Sequence, residues 1–145
     1  HIKVLCEKLK SKYDYVIIDA PAGIDDGMII ATGGCDMGII VVTPEYASLR
    51  NAETVKNTIE DQGIDNICYI VNRIDLNLME AGKAPSFDEV TKNIRDKIVG
   101  IIQEDENIHV STNLGVPIVS MENTYISKSF KAMAVRIKRL LENKE

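Results

Sequence analysis

Residues 13–27 read YDYVIIDAPAGIDDG: four apolar residues, Tyr15 to Ile18, run straight into Asp19 and a Pro-Ala-Gly turn. An apolar run with no polar alternation suits a parallel strand buried on both faces. A carboxylate at the end of such a strand is costly unless a cation or hydrogen-bond donors meet it. The stretch therefore calls for a fold in which a buried strand ends at a ligand or at a helix N-terminus.

The rest of the chain repeats the strand signal between helical ones. Ile2, Leu5 and Leu9 recur at helical spacing, so residues 2–11 close a helix. Residues 25–34 predict a short helix stopped by Gly33 and Gly34, and MGIIVVT (37–43) a second buried strand. Ser48 can cap a helix that runs to about Gln62, with Gly63 ending it. NICYIVN (66–72) is a third strand; a polar loop comes next, and Ser86 caps a helix to about Lys97. IVGIIQ (98–103) is a fourth strand, a loop or short helix crosses to VPIV (116–119), and a last helix runs from about Tyr125 to Glu142. Strands alternating with helices of this length predict an α/β fold, a doubly wound parallel sheet with helices on both faces.

Composition removes several classes. At 145 residues and 45% hydrophobic, the chain can bury one core, so a single domain is expected. A net charge of -5 argues against a general nucleic-acid surface, and no direct nucleic-acid partner is expected. Cys6, Cys35 and Cys68 are dispersed, odd in number and without a C-x-x-C pair, so they read as reduced residues. No apolar run approaches the ~20 residues needed to span a bilayer. The chain starts at His1 already inside an amphipathic helix, which predicts a fragment.

In open α/β sheets ligands bind at the carboxyl ends of the strands. Three predicted strand ends carry suggestive residues: Asp19, then Thr43-Pro44-Glu45, then Asn72-Arg73. Two readings of Asp19 stand side by side. It holds Mg²⁺ through water, as in nucleotide hydrolases, or it caps the next helix, a role for which Asp25 and Asp26 are better placed.

The motifs together resemble one family. DYVIIDAPAGI is similar to the second nucleotide motif of the MinD/ParA group of deviant-Walker ATPases. VVTPEYASLRNAE (41–53), IVNRID (70–75) and VGIIQEDENIHVSTNLGVPIV (99–119) resemble later segments of the group, in order, at similar spacings and over nearly the whole chain. The group's N-terminal half carries a Gly-rich phosphate loop with two lysines. Nothing here fits it, since Gly82-Lys83 lacks the earlier Gly and the hydroxyl residue. The resemblance thus implies that residues 1–145 are the C-terminal part of a single MinD/ParA-type nucleotide-hydrolase domain, with the phosphate loop outside the chain and the fragment alone inactive.

By position, the resemblance implies that Asp19 holds the Mg²⁺ water network and that the Gly23 amide senses the γ-phosphate of ATP. Asn72 would hydrogen-bond adenine, with Arg73 alongside or packed on the base face. The turn Gln103-Glu104-Asp105 would give backbone contacts to the base, with Gln103 standing where the family usually has Pro. Thr43, Pro44 and Glu45 would shape the floor of the site and the dimer face.

For the intact protein the resemblance implies an ATPase that dimerises with ATP and helps to place the division site. A MinC-like inhibitor and a MinE-like or equivalent activator would be its partners. It would be cytoplasmic and peripheral on the inner face of the membrane, through a C-terminal helix that this chain lacks. The final segment FKAMAVRIKRLLENKE instead reads as packing on the sheet through Phe130, Met133, Val135, Ile137, Leu140 and Leu141. Alternatives are a ParA-type ATPase positioning chromosomes, flagella or other cargo, and a GTPase reading guanine with Asn72-Arg73-Ile74-Asp75, one residue from N-K-x-D. A receiver-like module fits less well, because Gln103-Glu104 stand where it needs a Lys. Loss of the phosphate-loop strand beside YVIID would leave an unpaired edge and an uncovered apolar face, from which self-association is expected.

Overall fold

A computed structural model describes residues 2–121 and 124–142. Numbered in chain order, its helices are α1 (Ile2–Lys10), α2 (Asp26–Thr32), α3 (Tyr46–Asp61), α4 (Leu76–Glu80), α5 (Phe87–Asn93), α6 (Glu106–Leu114) and α7 (Tyr125–Glu142). The strands are β1 (Gly38–Val42), β2 (Ile67–Ile74) and β3 (Ile98–Gln103), and a 3₁₀ turn spans Ile118–Ser120. The strands pair in the order β1-β2-β3, both ladders parallel. Each connection between parallel neighbours carries helix, as a parallel crossover requires.

The two faces of β2 feed two cores. Tyr69 and Val71 join Ile40 and Val42 of β1 with Leu49, Ala52 and Ile59 of α3, Val90 of α5 and Met28 of α2. Cys68, on the opposite face, packs with Val99 and Ile102 of β3 and Ile126 and Met133 of α7. Helices therefore cover both faces of a parallel sheet, as the alternating sequence pattern predicts. In α7 the packing residues are Ile126, Phe130, Met133, Ile137 and Leu140, a helical stripe. Val135 falls off that stripe and is half exposed, against the sequence reading. The tail beyond Glu142 and its charges lie outside the described residues.

YVIID is the main correction. Residues 15–19 join no sheet, and Ile17 is 92% exposed. An apolar run becomes a strand only when a neighbour takes its N–H and C=O groups, and among the described residues none does. The segment is tied instead to the end of α7: the Tyr15 hydroxyl donates to Glu142 at 3.0 Å, and the Lys138 ammonium lies 5.9 Å from the Tyr15 ring. β1 is a second, partial correction. Its inner residues are buried, but Ile39 and Val41, which register with Cys68 and Ile70, remain 40% and 59% exposed because α7 covers β2 and β3 rather than β1.

Smaller differences have local causes. α3 begins at Tyr46 rather than after Ser48, because the Ser48 hydroxyl is occupied by the Thr43 amide at 3.0 Å. α5 stops at Asn93, four residues early, since Ile94 turns extended to enter the core. The loop after β2 contains α4, and the VPIV segment holds the 3₁₀ turn.

Candidate functional site

Because the strands are parallel, Thr43, Asn72 and Gln103 all leave the same edge of the sheet. β2 and β3 are fastened together there. Ile74 pairs with Gln103, and the Glu104 amide donates to the Ile74 carbonyl at 2.9 Å. Beside this clamp the Arg73 guanidinium meets the Glu104 carboxylate at 3.3 Å. Arg73 has φ +58, the left-handed region that only Gly enters freely. Ile74, 1% exposed, anchors the chain immediately after it. Asn72 is half-buried just before it.

The acidic residues of this edge divide by task. Asp105 accepts from the Asn107 amide at 2.7 Å and caps α6, so its side chain serves the helix. Asp75 likewise caps α4, one carboxylate oxygen accepting from the amides of Asn77 at 2.9 Å and Leu78 at 3.1 Å. Both are N-caps of the kind Asp favours. Asp75 was legible only as the end of an NRID match; the signal for its cap was its position directly before the apolar start of α4.

The first strand end is arranged differently. Pro44 is buried and Glu45 exposed, and the Thr43 amide is held by Ser48. Tyr46, the first residue of α3, donates its hydroxyl to Glu89 at 2.8 Å. That contact, together with the hydrogen bonds from Ser86, holds the Glu89 carboxyl below its ordinary range, the Ser86 amide being the larger cause.

Asp19 and Gly23 lie in the irregular segment before α2. Asp19 is exposed, and among the described residues its carboxylate makes no hydrogen bond or ion pair. Gly23 has φ +111, a conformation a side chain would strain. Asp25 caps α2 through the Gly27 amide at 3.2 Å, with Asp26 in the first turn, so the capping role open to Asp19 is already filled. Among the described residues the Asp19 carboxylate is thus unengaged. No group of three His, Cys, Asp or Glu able to hold a metal occurs among the described residues.

No protein-family model matches the chain. It is 34% identical over 137 residues to the septum site-determining protein MinD of Bacillus subtilis, a match covering 94% of the chain and 51% of the relative. The chain thus spans about half the length of the curated relatives it matches. Among solved structures, the MinD cell division protein of Aquifex aeolicus is 34% identical with a TM-score of 0.87, covering 94% of this chain and 59% of that one. MinD in the MinC:MinD complex from Aquifex aeolicus matches at the same identity with a TM-score of 0.85, over 94% of this chain and 56% of that one.

Proposed function

We infer that this chain, a relative of the septum site-determining MinD proteins in sequence and in fold, is the C-terminal part of an ATP-binding, ATP-hydrolysing switch domain. The proposal rests on where the parallel strands end. Asn72, Arg73, Gln103 and Glu104 converge at the carboxyl edge of β2 and β3, where α/β sheets take ligands. In this reading Asn72 and Arg73 meet the base, and the backbone of Gln103, Glu104 and Asp105 borders it. Asp19 holds the Mg²⁺ water network, and the Gly23 amide faces the γ-phosphate. Mg²⁺, when bound, would neutralise developing charge on the phosphates.

One observation favours adenine over guanine. A GTPase Asp accepts from guanine N1 and N2 together, which needs a free carboxylate. In this chain one Asp75 carboxylate oxygen accepts from the Asn77 and Leu78 amides at the start of α4, which fixes the carboxylate to that helix. Freeing it would uncap the helix. The NRID match is therefore read as a strand end plus a helix cap, and the nucleotide as ATP.

For the whole protein we propose ATP-dependent dimerisation, a MinC-like partner, a MinE-like activator and a peripheral place on the inner face of the membrane, in the service of division-site placement. The MinC:MinD complex among its structural relatives supports the first of those partners. Among the described residues no helix is long and apolar enough to cross a membrane.

Asp19→Ala in the whole protein tests the reading. ATP hydrolysis should vanish while the thermal melt stays where it was, since the Asp19 side chain is exposed and unpartnered. Turnover near the wild-type rate would overturn the role given to Asp19.

A further inference from the structure

The charge of α7 opposes that of the chain around it. The protein carries a net charge of -5, yet α7 holds Lys128, Lys131, Arg136, Lys138 and Arg139 against Glu142 alone, all of them exposed. Tyr125, Lys128, Ser129 and Arg136 recur at helical spacing on the flank of α7 that meets β3, and with Ile98 and Ile101 they line a groove of about 500 Å³. No Asp or Glu among the described residues lines it. Lys128 makes no ion pair among those residues. Arg136 is held at the strand by its bond to the Val99 carbonyl at 3.0 Å, which uses one of the five donors of a guanidinium. The groove is also apolar: Ile101 is 45% and Tyr125 66% exposed.

We propose that the groove between β3 and α7 docks an extended acidic segment of a protein partner. Its apolar side chains rest on Ile98, Ile101 and Tyr125, and its carboxylates meet Lys128 and Arg136. From Tyr125 to Arg136 the helix rises about 16 Å, room for about five extended residues. Backbone pairing with β3 is obstructed, because the Val99 carbonyl is taken and the register slips there: Ile98 faces Tyr69, while Gly100 faces Ile70. Side chains therefore carry the contact. The acidic remainder of the surface repels such a segment and α7 attracts it, so charge also steers the encounter. The groove runs along the side of the sheet rather than at the carboxyl ends of its strands, and its occupation does not depend on the nucleotide reading.

Fluorescence anisotropy of the whole protein with a labelled peptide of alternating Glu and Leu, about ten residues long and so able to overrun the groove, tests this. Binding should saturate and weaken as salt is added, and a peptide of alternating Lys and Leu should not bind. Lys128→Ala should lower the affinity by about two- to fivefold, the range of one exposed ion pair. Lys128→Glu should lower it further, and Tyr125→Ala should lower it without changing the salt dependence. Lys131→Glu, outside the groove, should leave it within twofold of the wild type. The Lys128 variants should keep the wild-type thermal melt, which separates lost binding from lost folding. Absence of saturable binding, or an equal loss for Lys131→Glu and Lys128→Glu, would overturn the proposal. So would a wild-type protein that ignores the peptide yet binds vesicles of phosphatidylcholine and phosphatidylserine through Lys128, since the face would then be a lipid contact.

Discussion

Gly100 of β3 lies directly beneath the Met133 thioether of α7. A Cβ on Gly100 would overlap the Met133 sulfur and stand 2.9 Å from its Cγ. This contact sets how closely α7 approaches the sheet, because Gly100 registers with Ile70 on the face that α7 covers. Gly100→Ala should destabilise the fold by about 1–3 kcal/mol, the usual cost of overpacking, toward the lower end because a thioether adapts. Met133→Ala in the same chain should return part of that loss. Urea melts of the two single variants and the double variant decide it, and strictly additive losses would mean the close approach is not the cause.

Ser86 begins α5 with a reciprocal cap. The Glu89 amide donates to the Ser86 hydroxyl at 3.3 Å, and the Ser86 amide donates to the Glu89 carboxylate at 2.9 Å. Ser86→Ala should cost about 1 kcal/mol in chemical denaturation. The loss should shrink in acid. The Glu89 carboxyl sits below its ordinary value of 4.5, so its contribution is present above that value and is lost as the pH falls through the lowered one. A Ser86→Ala cost that is the same at pH 7 and well below pH 4.5 would refute the link.

Cys68 is fully buried, and burial pushes its thiol from 9.0 up to about 11. A thiol-specific reagent at pH 8 should label it only when the protein unfolds. The raised value makes the neutral thiol a stabilising form below pH 9.0, and that contribution is lost as the pH climbs toward about 11. Cys68→Ala should be less stable at neutral pH yet show a shallower alkaline decline over that window. Rapid labelling of the native thiol would refute its burial.

The free edge of β1 carries GIIVV, with Ile39 and Val41 open on the side α7 does not reach. β3 is defended at its own outer side, where Arg136 donates to the Val99 carbonyl at 3.0 Å. Two copies of the isolated chain should therefore associate through β1 rather than β3. Sedimentation at micromolar concentrations should find species larger than a monomer, and Val41→Lys should return it to one without loss of stability. A monomeric wild-type chain would count against this.

The isolated chain should show no micromolar site for Mg²⁺-ATP, because no group of three potential metal ligands occurs among the described residues and no segment fits a phosphate loop. Isothermal titration that found a clear site would show that these residues bind the triphosphate unaided.

The sequence by itself determined the α/β class, the places of β3 and α7 to the residue, and that of β2 within one residue at its start but not at its end, which lies at Ile74 rather than at Asn72. Those features come from local periodicity, which is a property of short windows. It also carried the strand character of YVIID and the buried character of IIVV, but only as potential. Whether an apolar run pairs depends on a neighbour in space, and whether Ile39 or Val41 is covered depends on where α7 comes to rest. The commitment of Asp75 to Asn77 and Leu78, the left-handed turn at Arg73 and its pairing with Glu104 were likewise decided by the tertiary structure. Each depends on the geometry in which the chain leaves β2, which the clamp between Ile74 and Glu104 imposes across the sheet.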